Sequence, residues 1–303
     1  MRWFETPTFN FTGGRKTAYI LSSVLFLASL GAIFTKGLQF GIDFKGGKEF
    51  VLEFEGPVDV VDLRSTLTEP LEAAPEIKLY GSDSEVLIRT DNESEINIVQ
   101  GLITTSVNEL YPENPHRVIK TDVVGPRFAE DLKSGAFQAI IYAMVIIFLY
   151  ILIRFRNWTF SAGAVAALIH DVVIVLGIFT ILADIVPFSL QIDQALIAAF
   201  LTIVGYSLND TVVVFDRIRE NSRVHKGMEF MPMVNRSLND TLSRTVITSI
   251  TTLFVVLVLF IFGGEVLKGF SFALIIGIVL GTYSSLFVAS ALVVELEART
   301  KKS

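Results

Sequence analysis

The apolar run QALIAAFLTIVGYSLNDTVVVF, residues 194–215, decides the fold class because it is long enough to form a membrane helix. A helix needs about 20 mostly apolar residues to cross roughly 30 Å of hydrocarbon. An amide and a carboxyl group, Asn209 and Asp210, nevertheless lie inside the run. Polar groups at such depth are costly to bury and face a bundle interior or a wet cavity. The run therefore predicts a membrane helix that carries a polar site.

The rest of the chain repeats the apolar pattern. The composition is 51% hydrophobic and 18% charged, with a mean hydropathy of +0.57. Five further apolar stretches lie at about 17–35, 136–153, 159–183, 245–263 and 269–294. These lengths predict an α-helical membrane protein with six transmembrane helices.

Several chemical functions are excluded by what the sequence lacks. There is no cysteine, so disulfides and cysteine-based metal sites are absent. The three histidines are dispersed, and no glycine-rich nucleotide loop or set of catalytic residues is evident. We therefore predict that the chain is not an enzyme, binds no metal or cofactor and does not hydrolyse ATP.

The basic residues predict how the helices are oriented. Arg154 and Arg156 lie between the second and third spans, whereas residues 184–193 contain no basic residue. The connection between the fourth and fifth spans is also basic, with Arg217, Arg219, Arg223, Lys226 and Arg236. Because short cytoplasmic loops are enriched in Lys and Arg, both termini are expected on the cytoplasmic side.

The segment between the first two spans predicts a small separate domain. Lys36 to Lys133 contains 10 basic and 19 acidic residues, a net charge of −9 that disfavours nucleic-acid binding. Its pattern is strand (48–56), helix (59–69), strand (76–81), strand (85–91), helix (93–111) and strand (116–124). This βαββαβ order predicts an α+β ferredoxin-like domain outside the cytoplasm. The predicted domains are 1–36, 37–133 and 134–303, and His116 is interpreted as a surface strand residue.

Spans four and five carry polar residues at matching depth. At 100° per residue, Thr202, Tyr206, Asn209 and Asp210 fall within an arc of about 100°. Arg244 lies about one turn inside the cytoplasmic end of the fifth span, on one face with Thr248. Protonation of Asp210 would remove its attraction for Arg244, so the two residues could form a proton-dependent switch. Alternatively, Asp210 stabilises helix packing and Arg244 is an anchor that reaches the headgroups.

The third span contains a further pair of ionisable residues, His170 and Asp171, near its midpoint. The small-residue run SAGAVAA (161–167) precedes them and favours close helix packing. The pair has two interpretations, a polar clamp between helices and a proton carrier, and the sequence does not choose between them.

Four motifs resemble the SecF branch of the SecD/SecF family in the RND superfamily. FGIDFKGG (40–47) resembles the signature of the whole family. GYSLNDTVVVFDRIREN (205–221) is similar to the fourth-span segment of the SecF branch. LIHD (168–171) in the third span and SLNDTLSRT (237–245) before the fifth span also resemble the SecF branch. The chain length and the six-span plan are similar to those of that branch as well.

The resemblance implies half of an RND-type bundle that pairs with SecD in the bacterial inner membrane. It implies association with the SecYEG channel, SecA and translocating preproteins, with YajC and YidC as further partners, and a proton gradient as energy source. The resemblance implies that Asp210 and Arg244 take part in proton conduction, and Asn209, next to Asp210, is counted with them. In the signature motif we interpret Gly41, Gly46 and Gly47 as allowing close approach or positive φ, and expect Asp43 to cap that turn.

Two alternatives of other kinds remain at this stage. A structural translocon subunit without proton flux would tolerate replacement of Asp210 and Arg244. A small RND-type exporter subunit would also carry acids on the fourth span. The length of 303 residues and the single loop domain argue against that exporter.

Overall fold

The computed structural model describes residues 8–186 and 188–300, so residues 1–7 and 301–303 at the two predicted cytoplasmic ends lie outside it. Within the described residues, six helices are long and apolar enough to cross a membrane. They are α1 (Arg15–Lys36), α5 (Pro126–Phe155), α6 (Trp158–Leu182), α7 (Gln194–Val224), α8 (Phe230–Phe262) and a sixth helix spanning Val266–Thr300. The predicted helical membrane fold is confirmed.

The sixth helix is interrupted by a change of helical pitch. It consists of α9 (Glu265–Ser284), a π-helical turn (Ser285–Ala289) and α10 (Ser290–Thr300). Single π turns inside α-helices occur frequently at functional sites.

Burial divides the membrane helices into central and peripheral ones. About half of the apolar part of α6, α7 and the sixth helix is buried within the chain, whereas α5 buries almost none of it. The core between these helices is aromatic at one end, where the Phe160 ring lies edge-on to Phe215 with centroids 4.9 Å apart. The helix that carries Asp210 is therefore one of the central helices.

The remaining secondary structure forms a small α+β unit. It contains α2 (Ile42–Lys45), β1 (Gly47–Phe54), α3 (Val60–Thr68), β2 (Glu76–Leu79), β3 (Glu85–Thr90), α4 (Ile96–Leu110) and β4 (His116–Val124). The sheet is antiparallel in the order β2-β3-β1-β4. Helices α3 and α4 pack on a core that also contains alternate residues of the central strands β1 and β3, including Phe50, Leu52 and Ile88. The predicted βαββαβ order is present.

A second stretch of chain folds with this sheet. The residues cluster into two compact units, and Leu182–Ala195, which connects α6 to α7, belongs with Gln39–Phe137. We call this the loop unit and the remainder the helical unit. Backbone hydrogen bonds from Ile192 N to Gln39 O (2.7 Å) and from Gly41 N to Ile192 O (2.8 Å) tie the connection to residues 39–41.

The FGIDFKGG motif turns the chain into the sheet. Gly46 and Gly47 have φ of 77° and 114°, and a Cβ on Gly47 would lie 2.9 Å from Thr90 O, so only glycine fits. Asp43 was expected to cap this turn, but its Oδ2 instead accepts a 2.9 Å hydrogen bond from Gln194 N. Gln194 is the first residue of α7. The carboxylate therefore caps a distant helix, which local sequence could not indicate.

Candidate functional site

Asp210 is a buried carboxylate on α7 with incomplete hydrogen bonding. The residue is only 3% exposed, and its Oδ2 atom has no hydrogen-bond partner. The Arg244 guanidinium and the Ser249 hydroxyl, both on α8, are the groups that act on it electrostatically. A buried carboxylate that is not fully satisfied is costly to keep ionised, and such groups exchange protons more readily than fully paired ones.

Arg244 is near Asp210 without being bonded to it. Among the ion pairs of the described residues, none joins the two side chains directly, and Arg244 lies on the exposed side of α8 within this chain. The predicted attraction between them therefore acts across a gap. The Thr248 hydroxyl does not bridge the gap, because it donates to Arg244 O in its own helix at 2.8 Å.

The structure separates Asn209 from Asp210 although the two residues are adjacent. Asn209 is exposed on α7, whereas Asp210 points into the helical unit. Two other buried hydroxyls, those of Tyr206 on α7 and Thr245 on α8, also lack hydrogen-bond partners. Tyr206 precedes Asp210 by four residues and so lies on the same helix face. Buried polar atoms of this kind are normally satisfied by water, so the α7 and α8 faces are suited to hold water near Asp210.

A second buried carboxylate, Asp171, is fully surrounded by donors. It is 0% exposed and accepts hydrogen bonds from its neighbour His170 (Nδ1, 3.0 Å), from Ser207 on α7 (2.9 Å) and from Ser284 on α9 (2.6 Å). This arrangement requires the proton of His170 to be on Nδ1. The other ring nitrogen, Nε2, is buried without a partner. Asp171 thus joins three helices.

Sequence reasoning missed three residues of this region. Ser207, Ser249 and Ser284 lie next to the two carboxylates, yet serine is common in membrane helices and carries no signal of its own. The spacing of Ser207, three residues before Asp210, places both on neighbouring faces of α7 and is the one available clue.

The loop unit has its own buried charge, Arg89, whose two terminal nitrogens bond to four acceptors while its Nε has no hydrogen-bond partner. Its guanidinium donates to Glu49 Oε2 (2.9 Å), Glu76 Oε2 (3.3 Å), Gln191 Oε1 and Phe40 O (3.2 Å). Gln191 in turn donates to Glu76 at 3.2 Å. Because Gln191 belongs to the α6–α7 connection, this cluster fixes that connection on the sheet.

The helices, the loop unit and the buried carboxylates define a multi-pass membrane protein with ionisable groups inside its helical unit. Comparison with known proteins makes the assignment more specific. The family "Protein export membrane protein SecD/SecF, C-terminal" matches residues 103–299, and "SecD/SecF GG Motif" matches residues 31–58. The chain belongs to the SecD/SecF family of protein-export membrane proteins.

Individual relatives agree with the family. The protein translocase subunit SecF of Rhodothermus marinus is 57% identical over 299 residues, covering 99% of this chain and 96% of the relative. The protein translocase subunit SecDF of Thermus thermophilus is 38% identical, but this chain spans only 40% of it. A crystal structure described as SecDF, a translocon-associated membrane protein, from that organism superposes with a TM-score of 0.87 at 38% identity, covering 98% of this chain and 40% of the other.

These findings confirm the resemblance drawn from the four motifs. They also confirm that the chain is a component of protein export rather than an enzyme.

Proposed function

We propose that this chain couples a proton gradient to protein export, acting as a SecF-type subunit beside a SecD-type partner in the bacterial inner membrane. The observation that carries the proposal is the incomplete satisfaction of Asp210, a carboxylate 3% exposed on a central membrane helix, with Arg244 acting on it from the next helix. The names of the relatives support the export role, and the energy source is inferred from the site. No cofactor is needed, because the proton gradient supplies the energy.

The proposed mechanism follows from the charge of Asp210. While the carboxylate is ionised, it attracts Arg244 across α7 and α8, and the free oxygen Oδ2 is the atom that receives a proton. Protonation removes the attraction and leaves Arg244 free to pair elsewhere. An unpaired charge in a low-dielectric site is costly, so proton binding changes the preferred arrangement of the two helices. In this proposal Asn209 belongs to the proton-coupling group with Asp210 and Arg244, and Thr248 and the His170–Asp171 pair are accessory groups.

The partner is inferred from the relatives and from the exposed surface. The SecDF relative carries its matching segment within a much longer chain, of which this chain spans 40%. Here Asn209 and Arg244 lie on exposed faces of α7 and α8, which a second half-bundle would cover. We propose that SecD supplies that half, and that SecYEG, SecA, preproteins, YajC and YidC are the further partners. The proposed orientation has both termini in the cytoplasm and the loop unit in the periplasm.

The test is export measured in inverted membrane vesicles with an imposed proton gradient. Asp210→Asn keeps the size of the side chain but cannot release a proton, so gradient-dependent stimulation should disappear while the variant still assembles with SecD. Asp216→Asn is the matched control. Asp216 lies six residues further along α7 and is part-exposed, accepting from Arg154 Nη2 at 2.9 Å. Its variant should retain stimulation.

The two alternative functions predict different results for the Asp210→Asn variant. A structural subunit without proton flux predicts normal export by Asp210→Asn, and that result would remove the proton role. A small-molecule exporter predicts that Asp210→Asn impairs efflux of a hydrophobic dye while protein export is unchanged.

A further inference from the structure

The segment FNFTGGR, residues 9–15, folds back onto the first turns of α8, and the mechanism above does not use it. Two asparagines of α8 hold its backbone. The Asn239 amide accepts from Phe9 N at 2.9 Å and donates to Phe9 O at 2.9 Å, as a neighbouring strand would. The Asn235 amide donates to Phe9 O at 3.0 Å and accepts from Thr12 N at 3.1 Å. We call residues 9–15 the clasp.

One aromatic side chain of the clasp is inserted into the core of the helical unit. Phe11 is 9% exposed, and its ring centroid lies 5.4 Å from that of Phe287 in the π-helical turn of the sixth helix. Leu238 of α8 and Leu286 of the sixth helix line the same space. Because the buried ring contacts both elements, it fastens the start of α8 to the sixth helix.

A tight turn connects the clasp to α1. Gly13 N donates to Asn10 Oδ1 at 2.9 Å, which closes the turn with a side chain from within the clasp. Arg15, the first residue of α1, donates to Thr12 O at 2.9 Å and pairs with Glu295 of α10 at 3.4 Å. The clasp therefore holds α1, α8 and α10 together at one end of the helical unit.

The clasp contacts the face of α8 that lies opposite Arg244. Asn235 precedes Arg244 by nine residues, which is about two and a half turns of helix and about 14 Å of rise. Arg244 is accordingly exposed, whereas Asn235 is covered by the clasp. Asn235 and Asn239 are four residues apart and share one face, so a rotation of α8 about its axis breaks the bonds of both.

We propose that the clasp fixes the rotation of α8 and so positions Arg244 relative to Asp210, with Asn235 and Asn239 as the positioning residues. Among the ion pairs of the described residues, none joins Arg244 to Asp210, so their own contact does not hold the guanidinium in place. The attraction between two charges depends on their separation, and the orientation of α8 sets that separation. The effect on export rests on the proposed proton-coupled function, whereas the clasp itself does not.

Disulfide cross-linking in native membranes tests whether the clasp exists, because the chain contains no cysteine. The test pair is Thr12→Cys with Asn235→Cys, at positions where Thr12 Oγ1 lies 3.5 Å from Asn235 Oδ1. The control pair is Thr12→Cys with Arg236→Cys, because Arg236 is exposed and points about 100° away from Asn235 around the helix. The test pair should form a disulfide several-fold faster than the control pair. Equal rates, or no disulfide in the test pair, overturn the proposal.

A second cross-link reports the orientation of α8 beyond the clasp. Ser249 Oγ lies 2.6 Å from Thr282 Oγ1 of α9, so Ser249→Cys with Thr282→Cys measures how α8 faces α9. In this reporter protein, Asn239→Ala and Phe11→Ala should each lower the cross-linking rate several-fold. Phe34→Ala is the control, because its ring is 83% exposed near the other end of α1, and it should leave the rate unchanged. If Phe11→Ala does not assemble, Asn239→Ala carries the test, and an unchanged rate in that variant overturns the proposal.

Reversible rescue of export distinguishes positioning from a folding defect. Asn239→Ala should lower gradient-dependent export several-fold. Adding Thr12→Cys with Asn235→Cys and oxidising the pair should restore export, because the disulfide replaces the lost amide contacts. Reduction with dithiothreitol should remove the gain, which a defect in folding or assembly would not follow. A loss of export that the disulfide does not restore overturns the positioning role.

The Asp210 variant separates this inference from the proposed function. If Asp210→Asn abolishes gradient-dependent export and Asn239→Ala impairs it reversibly, both proposals hold. If Asp210→Asn abolishes export but Asn239→Ala exports normally, the clasp does not position Arg244. If Asp210→Asn exports normally, the proton function fails, while the two cross-linking measurements still decide whether the clasp fixes α8.

Discussion

The two units of the molecule each bury an ionisable group, and they satisfy it to different degrees. Arg89 in the loop unit bonds to two glutamates, a glutamine and a backbone carbonyl. Asp210 in the helical unit is at least as buried, yet its Oδ2 has no partner and its nearest opposite charge, Arg244, is not bonded to it. Burial alone therefore does not distinguish a structural charge from a functional one.

Direct bonding to opposite charge makes the distinction, because Arg89 bonds to Glu49 and Glu76 although its Nε lacks a partner. A buried charge bonded to opposite charges has one preferred protonation state and one preferred geometry, so it stabilises a fixed arrangement. A partly bonded carboxylate can gain or lose a proton with less rearrangement and changes the forces on its neighbours when it does. Asp171 is intermediate, because both of its oxygens are bonded, but by hydroxyls and an imidazole rather than by a permanent opposite charge.

The largest further effect on export is expected at Arg244, because only there does the identity of the cation matter. Guanidinium stays charged at any accessible pH and offers several fixed donors, whereas a lysine in a dry site can lose its proton. Arg244→Lys should therefore insert normally and lose about tenfold or more of its gradient-dependent export rate, equivalent to roughly 1.4 kcal/mol. Vesicle export measured across a range of pH checks this expectation.

Arg236→Lys is the control for Arg244→Lys, because Arg236 is an exposed arginine near the start of α8. It should export like the unchanged protein. Wild-type export by Arg244→Lys over the whole pH range would instead support the headgroup-anchor interpretation, in which any long cationic side chain suffices.

The next prediction concerns the stability of the loop unit rather than export. Arg89→Met leaves Glu49, whose side chain is 9% exposed, without its main partner, and breaking a buried pair in this way costs about 3–5 kcal/mol. Adding Glu49→Leu should recover much of the loss. Denaturant unfolding followed by proteolysis of the loop unit measures both variants. Export per folded molecule should be unchanged, in contrast to the Asp210 variant.

Arg117→Met provides the matched control for Arg89→Met. Arg117 also pairs with a glutamate, Glu53, but its side chain is 75% exposed, so its loss should destabilise the loop unit far less than the loss of Arg89. Equal destabilisation by the two variants would show that burial of the Arg89 cluster is unimportant.

The smallest effect is a pH dependence at His116. Burial lowers the pKa of this imidazole below its ordinary value of 6.5, and its Nδ1 has no hydrogen-bond partner. The unfolded chain therefore binds a proton more readily than the folded one, so stability decreases as the pH falls below about 6.5. Hydrogen exchange of β1 and β4 amides should accelerate modestly toward acid relative to His116→Gln. Identical acid profiles for the two proteins would contradict the assignment.

The sequence by itself determined the six membrane helices, the βαββαβ order and the position of Asp210 within a membrane helix. Each of these follows from local patterns: apolar length, alternation along strands and turn residues. The four motifs were also sufficient to identify the family. The strand position of His116 was also predicted, but the surface interpretation was not correct, because the ring packs against Phe54 and its Nδ1 is buried.

Only the tertiary structure decided which polar groups meet. The bond from Gln194 N to Asp43 spans about 150 residues, and Asp171 takes partners from two other helices. The approach of Arg244 to Asp210 without a direct bond, and the folding of residues 182–195 with the sheet, are equally non-local. The physical reason is that a side chain's local sequence sets its helix face and depth, whereas its partners depend on how closely the helices pack. That distance is set by small residues such as Gly281, on elements far apart in the chain.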